Sequence, residues 1–407
     1  MLDEPIVAAS TIAWIAFALG LVFGYAGNRS NFCTMGAVSD VVNMGDWTRM
    51  RMWALAVAVA VLGSGALQLA GLFDSADSIY TGRRLTWLSH LIGGALFGIG
   101  MTLASGCGSK TLIRIGGGNL KSLIVFVFLG LSAYMTMRGL FGVWRTQLLD
   151  PMAVQLTTHQ DLPSILAGLG IERETALTTL TLLVGGGLLA FALASREARQ
   201  SGGMLAGAIA IGAVCVAGWY LTAHIGYVEE HPRTLERAFI GTNSGGAESF
   251  TFVAPVAYTL ELFLLWTDSS RIVTFGIAGV FGVIAGSALY ATTSRSFRLE
   301  AFQSADDLVR HIVGAVLMGF GGVTALGCTV GQGITGLSTL AIGSLLTTAA
   351  IIAGAAATMK VQYWLMMREA SNPRPGAVSC RTGFFGCPLD ASPALWNNRG
   401  LSAAPGR

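Results

Sequence analysis

Apolar runs of about 20 residues, the length an α-helix needs to cross a bilayer, dominate the sequence. The clearest are Val7–Gly27, Met50–Phe73, Leu123–Gly142, Ala176–Ala194, Met204–Ala223, Ile272–Thr292 and Leu345–Met367. Leu85–Gly106 and His311–Gly327 are also apolar but are interrupted by glycines. Only 12% of the residues are charged, roughly half the share in a soluble domain. The pattern predicts an all-α polytopic membrane protein with about nine to eleven crossings.

Two further apolar stretches, Phe32–Met44 and Val330–Gly343, are too short to cross a bilayer. In a membrane protein this length favours re-entrant half-helices enclosed by other helices. The polar interruptions are too short to form a separate soluble domain. We therefore expect a single transmembrane domain over residues 1–369, followed by an irregular tail over residues 370–407.

The positive charge of the chain is concentrated at its end. Lys and Arg outnumber Asp and Glu by 25 to 22. The excess is contributed by Arg368, Arg374, Arg381, Arg399 and Arg407, set against Glu369 and Asp390. Because basic segments next to a span remain on the cytoplasmic side, we expect a cytoplasmic tail on a multi-pass membrane protein. The remainder is neutral overall, so nucleic acid is not an expected partner.

An internal similarity without gaps links residues 90–107 to residues 311–328. Both stretches begin with His, end with Gly-Cys and share four glycines: Gly93 with Gly314, Gly98 with Gly319, Gly100 with Gly321, and Gly106 with Gly327. A weaker similarity pairs Gly20 and Gly24 with Gly282 and Gly286. These similarities predict two pseudo-symmetric helical repeats, about 10–143 and 272–367, separated by an insert of about 144–271. We favour inverted repeats whose half-helices meet at the centre, as in many transporters.

Three of the six cysteines lie at breaks rich in small residues. The segments are Asn31-Phe32-Cys33-Thr34-Met35-Gly36, Ser105-Gly106-Cys107-Gly108-Ser109-Lys110 and Leu326-Gly327-Cys328-Thr329-Val330-Gly331. A helix that begins after such a break directs its N–H groups and its positive dipole end at an anion. A thiol is a soft, weak donor. The absence of a C-x-x-C pair argues against a zinc or thioredoxin-like site, and we expect no metal or cofactor.

Each of these features also has a structural explanation. Cysteine packs well as a small apolar residue, which is our interpretation of Cys215. Arg29 could extend to the membrane interface, although it and Lys110 could equally attract an anion. The roles of Cys380 and Cys387 in the tail remain open between packing, a partner surface and a redox pair.

The motifs Arg29-Ser-Asn-Phe-Cys33, Gly106-Cys107-Gly108 and Gly327-Cys328, with their glycine-rich helices, resemble the YeeE/YedE family of membrane transporters for sulfur-containing ions. The resemblance covers approximately residues 15–140 and 270–365. It implies two pseudo-symmetric helical halves and uptake of thiosulfate, which is passed along cysteine thiols. The binding and relay residues expected on this basis are Cys33, Cys107, Cys328, Gly106, Gly108, Gly327, Lys110 and Arg29.

Other functions are compatible with the same residues. The substrate could be a selenium compound or another small anion, and a cytoplasmic sulfur-accepting protein could receive it. A membrane-embedded sulfurtransferase would use Cys107 covalently and would form a persulfide. A channel for another small anion or for water would use the cysteines only for packing. The absence of a base beside Cys107 in the sequence, and of any cofactor motif, favours a transporter without catalytic residues.

Overall fold

The apolar runs fold into helices because a helix satisfies its own backbone hydrogen bonds where water is absent. The computed structural model describes residues 4–230, 235–268, 271–302 and 304–371. Within these residues, nine helical segments are long and apolar enough to cross a bilayer. This confirms the prediction of an all-α polytopic membrane protein.

The described helices follow one another with short connections. In chain order they are α1 (Glu4–Arg29), α2 (Thr34–Met44), α3 (Thr48–Leu69), α4 (Trp87–Leu103), α5 (Gly108–Gly116), α6 (Leu120–Arg138), α7 (Leu140–Trp144), α8 (Leu162–Gly168), α9 (Arg173–Leu193), α10 (Arg196–Gln200), α11 (Gly202–Tyr220), α12 (Ala254–Leu264), α13 (Phe275–Thr293), α14 (Ala305–Thr324) and α15 (Ile342–Ser371).

Short non-α elements occupy the connections. Two antiparallel ladders pair β1 (Arg84–Leu85) with β2 (Val154–Gln155) and β3 (Tyr227–Val228) with β4 (Ala238–Phe239). Turns of π-helix cover Arg145–Leu149, Leu221–Ile225 and Gly331–Gly336, and 3₁₀ turns cover Ser75–Asp77 and Leu337–Thr339. Because π-helical turns often occur at functional sites, the one that follows Cys328 is notable.

Helices α1 and α13 pack backbone against backbone through glycines. A Cβ added at Gly20 would lie 2.6 Å from the carbonyl oxygen of Gly279, and one added at Gly24 would collide with the carbonyl of Val283. Such small residues allow membrane helices to approach closely. Because the contacts advance together along both helices, α1 and α13 run parallel.

Helices α4 and α14 also pack through glycines, but in the opposite sense. A Cβ added at Gly93 would lie 2.8 Å from the carbonyl oxygen of Gly321, and one added at Gly100 would lie 2.6 Å from that of Gly314. Since the contacting residue number in α14 falls as that in α4 rises, the two helices run antiparallel.

The two helix pairs therefore differ in orientation. An inverted repeat reverses the direction of every equivalent helix, which agrees with the antiparallel pair α4 and α14. The parallel pair α1 and α13 does not follow the same inversion, although their glycines resemble one another. The organisation into two repeats with an insert stays a prediction.

The predicted short elements differ from one another in form. Residues 34–44 form α2, which shares the candidate span Ala9–Met44 with α1. Helix α5 likewise shares the span Trp87–Gly116 with α4. The stretch Val330–Gly343 contains the π-helical and 3₁₀ turns and only the first residues of α15. That the short elements are re-entrant stays a prediction.

Helix α15 continues the last apolar run to Ser371. Residues 372–407, with Cys380 and Cys387, lie outside the described residues, so the cytoplasmic tail and the domain limit at residue 369 stay predictions. The chain divides into two units after Val361, and every site residue discussed below belongs to the first.

Candidate functional site

The three predicted cysteines share one backbone arrangement. Two residues before each cysteine, a residue other than glycine adopts the left-handed conformation, with φ angles of 51° at Asn31, 56° at Ser105 and 59° at Leu326. The next N–H closes the preceding helix with a bond to the carbonyl five residues earlier: Phe32 to Gly27 (3.0 Å), Gly106 to Met101 (2.9 Å) and Gly327 to Gly322 (2.7 Å). This Schellman-type ending stops a helix and places the cysteine at the start of the next helical element.

Cys33 caps α2. Its sulfur accepts a hydrogen bond from the backbone N–H of Gly36 at 3.3 Å. The residue is 8% exposed, and no acidic residue lies in the first turn of α2. The thiol therefore lies at the positive end of a short helix without a neighbouring carboxylate in that turn.

Cys107 stands at the N-terminus of α5, which no side chain caps. The residue is 1% exposed, and its sulfur lies 3.3 Å from the hydroxyl oxygen of Ser109. Neither a capping side-chain hydrogen bond nor an acidic residue occurs in the described first turn of α5. The first N–H groups of an α-helix have no partner within the helix, so this end can bind an anion.

Cys328 is fully buried, at 0% exposed. Its sulfur accepts a hydrogen bond from the backbone N–H of Gly331 at 3.4 Å. Cys328 thus receives a backbone hydrogen bond from the third residue after it, as Cys33 does.

Cys107 is a neighbour of both other thiols. Cys107 is close enough to interact electrostatically with both Cys33 and Cys328. Phe252 packs next to Gly108, since its Cβ would lie 3.5 Å from a Cβ added there. The preceding residue, Thr251, has its side-chain oxygen 3.9 Å from the sulfur of Cys328. The segment before α12 therefore lies beside both Cys107 and Cys328.

An aromatic cluster lies beside these thiols. Phe252 packs edge-on against Phe23 with ring centres 5.2 Å apart, and Phe250 packs against Phe275 at 5.1 Å. All four rings are buried. Apolar surroundings lower the local dielectric, so hydrogen bonds to an anion inside are stronger than they would be in water.

Two cationic side chains of α5 hydrogen-bond to residues that adopt the left-handed conformation before Cys33 and Cys107. Lys110 donates to the side-chain oxygen of Asn31 at 2.6 Å, and Arg114 donates to the carbonyl oxygen of Ser105 at 2.7 Å. Lys110 also interacts electrostatically with both Cys33 and Cys107. These cations therefore hold both breaks and place positive charge next to two thiols.

A cavity of about 320 Å³ opens beside these cations, where α1, α5 and α13 end. It is lined by Asn28, Asn31, Lys110, Ile113, Arg114, Gly117, Asn119, Ser296, Arg298 and Glu300. Three cations and one carboxylate give this lining a positive balance, which attracts anions.

The remaining predicted site residues occupy different surroundings. A Cβ added at Gly106 would lie 3.4 Å from the Cβ of Lys110, and one added at Gly327 would lie 3.0 Å from the side chain of Gln332. Arg29 is exposed and does not line the cavity. Within the described residues, no group of three or more His, Cys, Asp or Glu side chains could hold a metal ion.

Sequence reasoning missed the segment Phe250–Val253 and Tyr80, which both lie near Cys328. The segment is irregular and leads into α12, which has a proline in its first turn. A break before a short apolar helix is the same signal that drew attention to the cysteines. Neither a cysteine nor an internal copy marks the segment Phe250–Val253 in the sequence.

The spans, the helix breaks at buried thiols and the positive cavity define a multi-pass membrane protein of the transporter class. A family model described as Sulphur transport matches residues 29–357. The chain therefore belongs to this sulfur-transport family, which confirms the resemblance to YeeE/YedE proteins.

Two relatives are similar over most of their length. The thiosulfate transporter TsuA of Spirochaeta thermophila is 27% identical over 350 residues, which cover 84% of this chain and 96% of that protein. The thiosulfate transporter TsuA of Escherichia coli is 27% identical over 329 residues, which cover 77% of this chain and 84% of that protein. The family and both relatives are described as transporters, which confirms that the chain is no enzyme.

Proposed function

We propose that the protein takes up thiosulfate, or a closely related sulfur-containing anion, across the bacterial inner membrane along Cys33, Cys107 and Cys328. The observation that carries this proposal is the uncapped N-terminus of α5. Cys107 stands at that terminus, Lys110 lies in its first turn, and no acidic residue or cap occupies it. The names of both TsuA relatives support thiosulfate as the substrate.

The two ends of thiosulfate match the two kinds of donor at this site. Its sulfonate-like oxygens suit backbone N–H groups and the ammonium of Lys110, which form charge-assisted hydrogen bonds. Its terminal sulfur suits the weak S–H donor of Cys107. Several weak binding sites in series allow an anion to enter and leave, whereas a cation at every site would retain a dianion.

The proposed path begins in the cavity beside α5. Lys110 and Arg114 raise the local concentration of anions there. The anion then passes Cys33 and Cys107, whose thiols flank Lys110, and continues past Phe252 to Cys328. It remains intact throughout, because each station supplies hydrogen bonds and no covalent step is required.

Uptake of radiolabelled thiosulfate tests the proposal. The host is a sulfur-starved bacterium without thiosulfate uptake of its own, which carries the wild type, Cys107→Ala or Cys215→Ala. Both replaced residues are at most 1% exposed, so the substitutions are matched in chemistry and burial. We expect uptake by the wild type and by Cys215→Ala. Cys107→Ala should lose about tenfold or more, because a hydrogen bond to a charged group is removed.

Immunoblots of the membrane fraction correct each rate for the amount of protein. Absence of label uptake by the wild type would refute thiosulfate transport. Equal uptake by Cys107→Ala and Cys215→Ala would refute the relay. A persulfide trapped on Cys107 during transport would refute passage of an intact anion.

A further inference from the structure

Two hydroxyl groups lie beside Cys328 and have no part in the cysteine motifs. The side-chain oxygen of Thr251 lies 3.9 Å from the sulfur of Cys328. The hydroxyl of Tyr80 lies close to Gly331, the third residue after Cys328. Thr251 belongs to the irregular segment before α12, and Tyr80 belongs to the connection between α3 and α4. Remote parts of the chain thus bring both hydroxyls to one thiol.

Gly331 packs directly against both hydroxyls. A Cβ added at Gly331 would collide with the side-chain oxygen of Thr251 and would lie 3.4 Å from the hydroxyl oxygen of Tyr80. The N–H of Gly331 already donates to the sulfur of Cys328. The glycine therefore allows two hydroxyls, a backbone donor and a thiol to lie side by side.

Both hydroxyls are suited to bind an anion as neutral donors. Tyr80 is only 4% exposed, and burial raises the pKa of its phenol above the ordinary value. It therefore keeps its proton at physiological pH. Thr251 is half-buried. Neutral donors bind a dianion without the charge that would retain it.

We propose that the hydroxyls of Thr251 and Tyr80 recognise the oxygen end of the transported anion at Cys328. They hydrogen-bond to its sulfonate-like oxygens while its terminal sulfur rests against the thiol. The inference rests on the proposed function, and it assigns selection for an oxygen-bearing sulfur anion to two residues outside the cysteine motifs.

The test measures initial rates of thiosulfate uptake over a range of concentrations for Thr251→Val and Tyr80→Phe. Each change removes a hydroxyl and keeps most of the side chain. We expect KM to rise about tenfold in each variant, from loss of a hydrogen bond to a charged group, with little change in the maximal rate. Thr251→Ser, which restores a hydroxyl, should recover most of the wild-type KM.

Matched controls remove hydroxyls elsewhere. Thr259→Val changes a buried threonine of α12 whose hydroxyl donates to the carbonyl of Pro255 at 2.7 Å. Tyr290→Phe changes a tyrosine of α13 that packs against Tyr25. Both controls should keep KM within about twofold of the wild type, since losing a hydrogen bond away from the ligand does not alter ligand binding.

The outcomes separate this inference from the proposed function. If the wild type transports thiosulfate but Thr251→Val and Tyr80→Phe behave like the controls, the inference is wrong and the proposed function stands. If Thr251→Ser is as impaired as Thr251→Val, the hydroxyl is not responsible and the inference is again wrong. If the wild type transports no thiosulfate, both fail.

Discussion

Replacing Gly100 by alanine tests whether the contact between α4 and α14 positions Cys107. A Cβ at residue 100 would lie 2.6 Å from the carbonyl oxygen of Gly314 and 2.8 Å from the N of Met318. Real side-chain carbons do not approach heavy atoms within about 3.0 Å, so the helices must separate by about 0.4 Å or more. The obstructing atoms belong to the backbone and cannot rotate away.

The expected cost follows from this overpacking. Inserting a methyl group into a tightly packed interior costs about 1–3 kcal/mol, and we expect the upper half of that range for a backbone contact. The melting temperature of the purified protein in detergent should therefore fall by about 5 °C or more. Thiosulfate uptake should fall as well, because α4 leads directly into the break that positions Cys107.

Gly186→Ala is the matched control, since a Cβ there meets no heavy atom within 4 Å. Alanine stabilises a helix by up to about 1 kcal/mol relative to glycine, so this variant should be as stable as the wild type or more so. A Gly100→Ala protein with the melting temperature and uptake of Gly186→Ala would refute the packing argument.

Two further predictions concern charge. Lys110→Met should raise KM for thiosulfate severalfold and weaken the dependence of KM on ionic strength, because it removes a cation of the cavity. The control Lys360→Met changes an exposed lysine and should have neither effect. Equal uptake curves for the two variants would contradict this role of Lys110. Arg49→Met should destabilise the protein by about 3 kcal/mol, because the Asp40 side chain, 8% exposed and 3.0 Å from Arg49, loses its partner. Adding Asp40→Asn should recover much of the melting temperature; no recovery would show that the ion pair is not the cause.

The fold class was predictable from the sequence because it depends on local properties. The length and polarity of each apolar run decide whether a segment spans a bilayer, and the structure has nine such segments among its described residues. The breaks before Cys107 and Cys328 were also predictable, because glycines and an internal copy marked them, and small residues marked the break at Cys33. Each break contains one residue in the left-handed conformation: Asn31, Ser105 or Leu326. Nothing in the sequence indicated this conformation.

Helix direction and the neighbours of each thiol were decided only by the tertiary structure. Thr251 and Cys328 are 77 residues apart, and a single threonine carries no local pattern that reveals its partner. Glycines that resemble one another in α1 and α13 belong to helices that run parallel, while those of α4 and α14 belong to antiparallel helices. A glycine in the sequence shows that a backbone can approach closely, but the packing of remote helices selects which backbone approaches and from which direction.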